Sequence, residues 1–328
     1  GFVDQRETPA GKTYSLGDDG QSLGDRNAPT TAYAMFIPPF HLDKNGEYKG
    51  GLFIDGRATD LSAQAGGPPT NPLEMGLPDK AYAVKRLTEN AAYVSAFKAL
   101  FGETIFTNTD RAYKAMTNAI AAFEKTPYFA PFDSKYDRSL RGEVKLSDKE
   151  KHGRQLFFSP KRTNCSLCHQ LHRSANTPKE TFSNYGYDNI GVPENTKGRA
   201  QNGVKIGTTD TGLFGNKAVN DPQHKGKFRV PTLRNVAVTG PYMHNGVFKK
   251  LRTVVLFYNK YNSSSPRSQI NPETGQKFRR PEVGSTLSKK ELTHGSALKE
   301  TEIDALIAFL QTLTDQRYEP LLKRDGAS

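Results

Sequence analysis

The chain has 328 residues, a length that favours two domains over one, and its apolar fraction of 35% is low for that size. Net charge is +12. No long run of like charges and no nucleic-acid motif accompanies it, which argues against nucleic-acid binding and for a solvated basic face or a docking surface for an acidic protein. No stretch approaches the roughly 18 consecutive apolar residues of a membrane span. The chain opens on Gly1 without a charged-then-apolar leader, as a processed chain or a fragment does.

Residues 1–79 are rich in Gly, Pro, Asp and Asn, and turns such as Gly17-Asp18-Asp19-Gly20 and Lys44-Asn45-Gly46 dominate them. Helical periodicity follows, with Tyr113, Met116, Ile120 and Phe123 on one expected face. Pro127 ends that helix and Pro131 reinforces the break, so the segment to about Gly142 reads as a connection between domains. Ser147 with Glu150 is a capping box for a helix to about Phe158. Residues 173–230 show little periodicity, as in a segment wrapped around a ligand. Leu251 to Tyr258 reads as a further helix, and Ser288 with Glu291 as a second capping box. The last helix places Ile303, Leu306, Ile307 and Leu310 on a core stripe. The expected fold is mostly α, with long loops.

The chain has two cysteines, Cys165 and Cys168, directly followed by His169. Cys-x-x-Cys-His is the attachment spacing of c-type haem. The thiols add to the two vinyl groups, and the histidine lies under the iron as proximal ligand. Structural zinc would need further cysteines or well-spaced histidines, and no second cysteine pair exists. His172 reads as a surface residue. Covalent haem implies a periplasmic address in bacteria, and a buried porphyrin would supply core that the side chains lack. The sixth ligand decides the chemistry. Met243 is the first choice from the residues alone, with His244, Tyr258 or an open position as alternatives.

Two runs carry a resemblance: Phe228-Arg229-Val230-Pro231-Thr232-Leu233-Arg234-Asn235 and Gly240-Pro241-Tyr242-Met243-His244-Asn245-Gly246. With Asp55-Gly56-Arg57-Ala58, Asn71-Pro72-Leu73-Glu74-Met75 and Arg317-Tyr318-Glu319-Pro320-Leu321-Leu322, they resemble the bacterial di-haem cytochrome c peroxidases. The likeness spans essentially the whole chain and is closest to the family's methylamine-utilisation branch. It implies two cytochrome c-like domains, 1–137 and 138–328, with haems near their interface. It moves the sixth ligand to Tyr258, a phenolate that favours high iron oxidation states, where ordinary members carry Met. It implies a first, five-coordinate haem that reacts with hydrogen peroxide beside Gln64, Pro68 and Glu74. Glu74 would do the acid–base work and Gln64 would orient the peroxide. It also implies calcium, held by the side chain of Asn27 and the carbonyls of Thr239 and Pro241.

Two departures stand out. Only one attachment motif is present, and the family's first one lies a few residues before the position of Gly1. The chain also has no tryptophan. Ile54 stands where the family has Trp between the haems, and Thr163 where the methylamine-utilisation branch has a surface Trp. The resemblance implies an enzyme that uses peroxide, through a high-valent haem state, to oxidise residues of a partner. That partner would be the methylamine dehydrogenase precursor, whose tryptophan tryptophylquinone is matured in this way. Alternatives are a periplasmic peroxidase fed by a small electron-donor protein, and a non-catalytic electron-transfer cytochrome.

Overall fold

Two helices in backbone contact organise the second half of the chain. They are α6 (Asp148–Phe157) and the terminal α11 (Glu300–Gln311). A β-carbon on Gly153 of α6 would lie 1.8 Å from the Ala305 carbonyl oxygen of α11, so only glycine permits this approach. Around the crossing, Tyr136, Leu156, Phe157, Phe182, Val255, Ile303, Leu306 and Phe309 form one buried cluster. Its aromatic rings meet mostly edge-on, as Tyr136 and Phe182 do at 5.3 Å, the geometry their quadrupoles prefer. The helix α9 (Leu251–Asn259) packs against α11. The computed structural model describes residues 13–172 and 177–323; Gly1 and the start of the 173–230 stretch lie outside it.

The first half is built on α4 (Thr109–Glu124), which packs against α1 (Leu61–Ala65) and α2 (Lys80–Thr88). Its clusters are small and alanine-rich, as in Ala83, Val84, Ala112 and Tyr113. Side-chain oxygens of Asp60, Asp79 and Asn108 cap these three helices, taking otherwise orphaned N–H groups. The helix α3 (Ala91–Phe101), between α2 and α4, has no fully buried residue. The expected stripe on α4 is only half right. Tyr113 is buried, but Ile120 is 38% and Phe123 58% exposed, and the buried face runs through Ala112, Ala115, Thr117 and Ala121.

The expected connection is firmer than a linker. It contains α5 (Lys135–Leu140), which starts with a capping box of Ser134 and Asp137, and Tyr136 is wholly buried in the second-half core. The capping box of Ser147 and Glu150 forms as expected. The one expected at Ser288 does not: no side-chain cap is made at α10 (Lys289–Leu292). The Ser288 hydroxyl instead donates to Asp188 at 2.8 Å and accepts the Asn189 N–H at 3.2 Å. A long-range carboxylate outcompetes the local cap. Of the last helical stripe, Ile303, Leu306 and Leu310 are buried.

The remaining helices are α7 (Cys165–Cys168) and α8 (Thr196–Asn202). Among the described residues, strand structure beyond isolated bridges is three two-residue antiparallel pairs. These are β1 (His41–Leu42) with β2 (Tyr48–Lys49), β3 (Tyr187–Asp188) with β4 (Phe228–Arg229), and β5 (Ile270–Asn271) with β6 (Gln276–Lys277). Among the described residues no helix is long and apolar enough to cross a membrane.

The β3–β4 pair is where the halves meet. The Arg229 N–H donates to the Ile54 carbonyl at 2.8 Å, and the Gly50 N–H to the Tyr185 carbonyl at 3.0 Å. The Tyr187 hydroxyl donates to the Gly50 carbonyl at 2.6 Å. Arg26 clamps the same seam, reaching Asp55 at 2.6 Å and Asp210 at 2.7 Å.

Candidate haem site

The attachment motif sits on one helical turn directly after the α6 scaffold. Asn164, in the left-handed region at φ 57°, turns the chain into α7. The Thr163 hydroxyl ties that turn back to the Leu156 carbonyl of α6 at 2.6 Å. Cys165, Cys168 and His169 then line a cavity of about 370 Å³ whose wall is largely apolar. Tyr258 of α9, Met243 and His244 line the same cavity, and so do Tyr33 and Ile54 from the first half.

His169 is oriented for ligation. Its Nδ1 lies 3.1 Å from the Phe182 carbonyl, an acceptor only, so Nδ1 carries the proton and Nε2 keeps its lone pair. Burial lowers the histidine's pKa, against the opposing pull of the Phe182 carbonyl and Asp188, and so favours the neutral ring a metal needs. The Cys168 thiol points at the Asp188 carboxylate, 3.4 Å away, which Ser288 holds from the other side. Burial and then Asp188 push the Cys168 thiol pKa up, and burial does the same for Cys165. Both thiols are therefore held in the protonated form.

The Tyr258 hydroxyl lies within electrostatic reach of both thiols and Asp188, and burial first, then these groups, raise its pKa strongly. A nearby metal cation would reverse that direction. Met243 is also on the wall, in a positive-φ turn at 73°. His169 and Tyr258 as donors, with two free thiols beside them on the wall of a largely apolar cavity, fit a haem.

Gln64, Pro68 and Glu74 lie on consecutive turns outside this cavity. The Gly67 N–H donates to the Gln64 carbonyl, and the N–H groups of Asn71 and Met75 to that of Pro68. The Asn71 amide holds the Glu74 carboxylate at 3.1 Å. Burial raises the Glu74 pKa, with Asn71 and Arg57 opposing. A carboxyl that protonates more readily than usual suits acid–base work.

Asn27 and Pro241 come together. The Asn27 side-chain amide donates to the Pro241 carbonyl at 2.7 Å, and its backbone N–H to the His244 carbonyl at 2.8 Å. Turning the amide would aim its oxygen at the same spot, an oxygen-only set suited to calcium. Thr239 precedes the turn, its hydroxyl bonded to the Val236 carbonyl.

A family model for di-haem cytochrome c peroxidase matches residues 1–145. The methylamine utilization protein MauG of Paracoccus denitrificans is 51% identical over 327 residues, covering 100% of this chain and 84% of that protein. The chain belongs to the di-haem cytochrome c peroxidase family. Cytochrome-c peroxidase IdrP1 of Denitromonas iodatirespirans is 30% identical, covering 86% of this chain and 69% of that protein. The crystal structure of the diheme peroxidase BthA of Burkholderia thailandensis superposes with a TM-score of 0.82 at 30% identity, over 95% of this chain and 78% of that one. The helix-rich, strand-poor architecture is that of this peroxidase family, and haem c is its cofactor.

The motif residues and Tyr258, the ligand implied by the resemblance, line one cavity, but the contacts that orient them carry no signal in the sequence. The Phe182 carbonyl and the Asp188–Ser288 contact come from the aperiodic stretch and a distant turn, with no local signal. Arg229 was quoted in a motif without its burial being visible.

Proposed function

We propose that this chain is a periplasmic di-haem enzyme that uses hydrogen peroxide to oxidise residues of a partner protein, the methylamine dehydrogenase precursor. The observation that carries this reading is the meeting of Cys165, Cys168, His169 and Tyr258 on the wall of one cavity. The name of the Paracoccus relative, a methylamine utilization protein, supports the choice of partner.

Haem iron supplies one-electron redox chemistry and a site of reaction with peroxide. Cys165 and Cys168 hold one haem covalently, in the domain of residues 138–328. His169, its Nδ1 held by the Phe182 carbonyl, would present Nε2 to the iron, and Tyr258 would offer its phenolic oxygen as a second ligand. In the domain of residues 1–137, Glu74 takes a proton from peroxide and returns it to the leaving oxygen, held ready by Asn71. Gln64 and Pro68 shape the space above that centre. Asn27, Thr239 and Pro241 would hold calcium, which would supply structural support through oxygen ligands. The partner gives up two electrons and two protons, and peroxide leaves as two waters.

The test uses holoprotein bearing both haems. Peroxide is added and the precursor is followed by intact mass for loss of two hydrogens per turnover. The ferric protein is expected to show a His/Tyr low-spin signal beside a high-spin one. A His/Met signal, or an unmodified precursor, overturns the reading.

A further inference from the structure

Arg229 is 5% exposed, yet no carboxylate among the described residues pairs with it. Its Nε has no hydrogen-bond partner, and its Nη1 reaches only the Val230 carbonyl, at 3.5 Å. The comparison with Arg234, also buried, is instructive, since that guanidinium is gripped by Asp137. The ionisable groups felt by Arg229 are the hydroxyls of Tyr187 and Tyr185. Burial pushes the pKa of Tyr185 up to about 12 and raises that of Tyr187 as well, so both are neutral. Burial also pulls the guanidinium's own pKa down, but an arginine keeps its proton near neutral pH. A cation buried without a counter-ion carries a heavy desolvation penalty.

The residue is not placed there by accident of a flexible chain. It pairs with Tyr187 across β3–β4, and its N–H is fixed on the Ile54 carbonyl. It lines the same cavity as Cys165, Cys168, His169 and Tyr258. A second buried polar atom without a partner, Nε2 of His244, belongs to the same wall, its ring stacked on Phe228 at 3.7 Å.

We infer that Arg229 is the counter-ion for a carboxylate of the group seated in this cavity, a haem propionate, with His244 Nε2 as a further hydrogen-bonding position on the same wall. The inference rests on the haem reading of the cavity. The planar fork of a guanidinium matches a carboxylate bidentately, which a lysine does not reproduce. A compensated propionate adds no net negative charge near the iron. Removing Arg229 leaves that charge standing, which favours ferric over ferrous iron and lowers the midpoint potential.

The experiment compares holoprotein with Arg229→Met and Arg229→Lys variants. Intact mass first reports whether haem is attached at Cys165 and Cys168. Resonance Raman then reads the propionate bending band, and a redox titration reads the low-spin haem. Arg229→Met is expected to keep its haem, shift the band and lower the potential. Arg229→Lys is expected to restore most of the potential but not the band, since charge returns without the fork. If Arg229→Met does not accumulate, the band of Arg229→Lys decides. Attached haem with band and potential unchanged in both variants overturns the inference. No haem on the unsubstituted chain overturns the haem reading itself, a separate failure visible in the mass alone.

Discussion

Arg234 and Asp137 face each other in a bidentate ion pair sealed inside the second-half core, with their side chains 0% and 4% exposed. The same guanidinium donates through Nε and Nη2 to the Glu180 carbonyl, two residues before the Phe182 carbonyl that orients His169. The pair thus joins α5 to the segment that aims the proximal histidine.

Breaking that pair leaves an uncompensated buried charge. Asp137→Asn and Arg234→Met are each expected to cost about 3–5 kcal/mol. Chemical denaturation of the holoprotein measures this. The double variant Asp137→Leu/Arg234→Met is expected to recover part of the loss, because no charge is then stranded. Equal losses in single and double variants would mean that packing, not charge, sets the cost.

Glu74→Gln removes the proposed proton carrier and keeps the shape. The reaction with peroxide is expected to slow by about 10²–10⁴-fold. The denaturation midpoint is expected to move little, because Glu74 sits on a partly exposed turn outside the main clusters. Burial raises the Glu74 pKa. The base form is therefore lost at a higher pH than for an ordinary carboxylate, so the acid limb of the rate profile lies upward of the usual range. Stopped-flow rates across pH report both effects, and an unchanged limb in Glu74→Gln would remove the residue from the chemistry.

Asp210 links pH to the seam between the halves. Burial alone would raise its pKa, but the Arg26 hydrogen bond and charge outweigh it and hold the group at about 2, down from 3.8. A carboxylate depressed in the folded state contributes stability that is present above its unfolded pKa. That contribution is lost as pH falls through the interval from 3.8 to about 2. The shift is worth about 2 kcal/mol. Asp210→Asn is expected to be less stable at neutral pH and to flatten this part of the acid-unfolding curve, read by circular dichroism.

Tyr258→Met replaces a phenol by a thioether on the α9 wall of the cavity. The low-spin ferric signal is expected to turn to the His/Met type, with a rise in midpoint potential and loss of partner oxidation. Electron paramagnetic resonance of the frozen ferric protein reads the change. A signal unaltered by the substitution would place the sixth ligand elsewhere on the wall, with Met243 next to examine.

What could be read from the sequence is local. Cys-x-x-Cys-His specifies its chemistry within five positions, and the Ser147–Glu150 cap depends only on residues three apart. Ser288 failed as a cap because its hydroxyl has a better partner 100 positions away in Asp188. The outer half of the α4 stripe failed for a related reason. Periodicity places Ile120 and Phe123 on one face, but the helix packs through the small residues Ala115 and Ala121, and Phe123 meets the Phe129 ring edge-on at 5.0 Å while staying largely exposed. Arg229 could not be read at all. Its significance is the lack of a partner, and only the folded chain shows which residues are near it.

Gly153 gives the haem site its footing in an unusual way. Most positions in a core act through atoms they contribute, and this one acts through an atom it withholds. An added methyl there cannot be absorbed by a rotamer change, because the obstacle is the Ala305 main chain. It would act as a wedge between α6 and α11, and both helices carry rings of the aromatic cluster. The Thr163–Leu156 bond would pass that displacement on to the turn bearing Cys165 and His169. The alignment of the porphyrin's anchor is thus gauged by the spacing of two helices some distance from the iron.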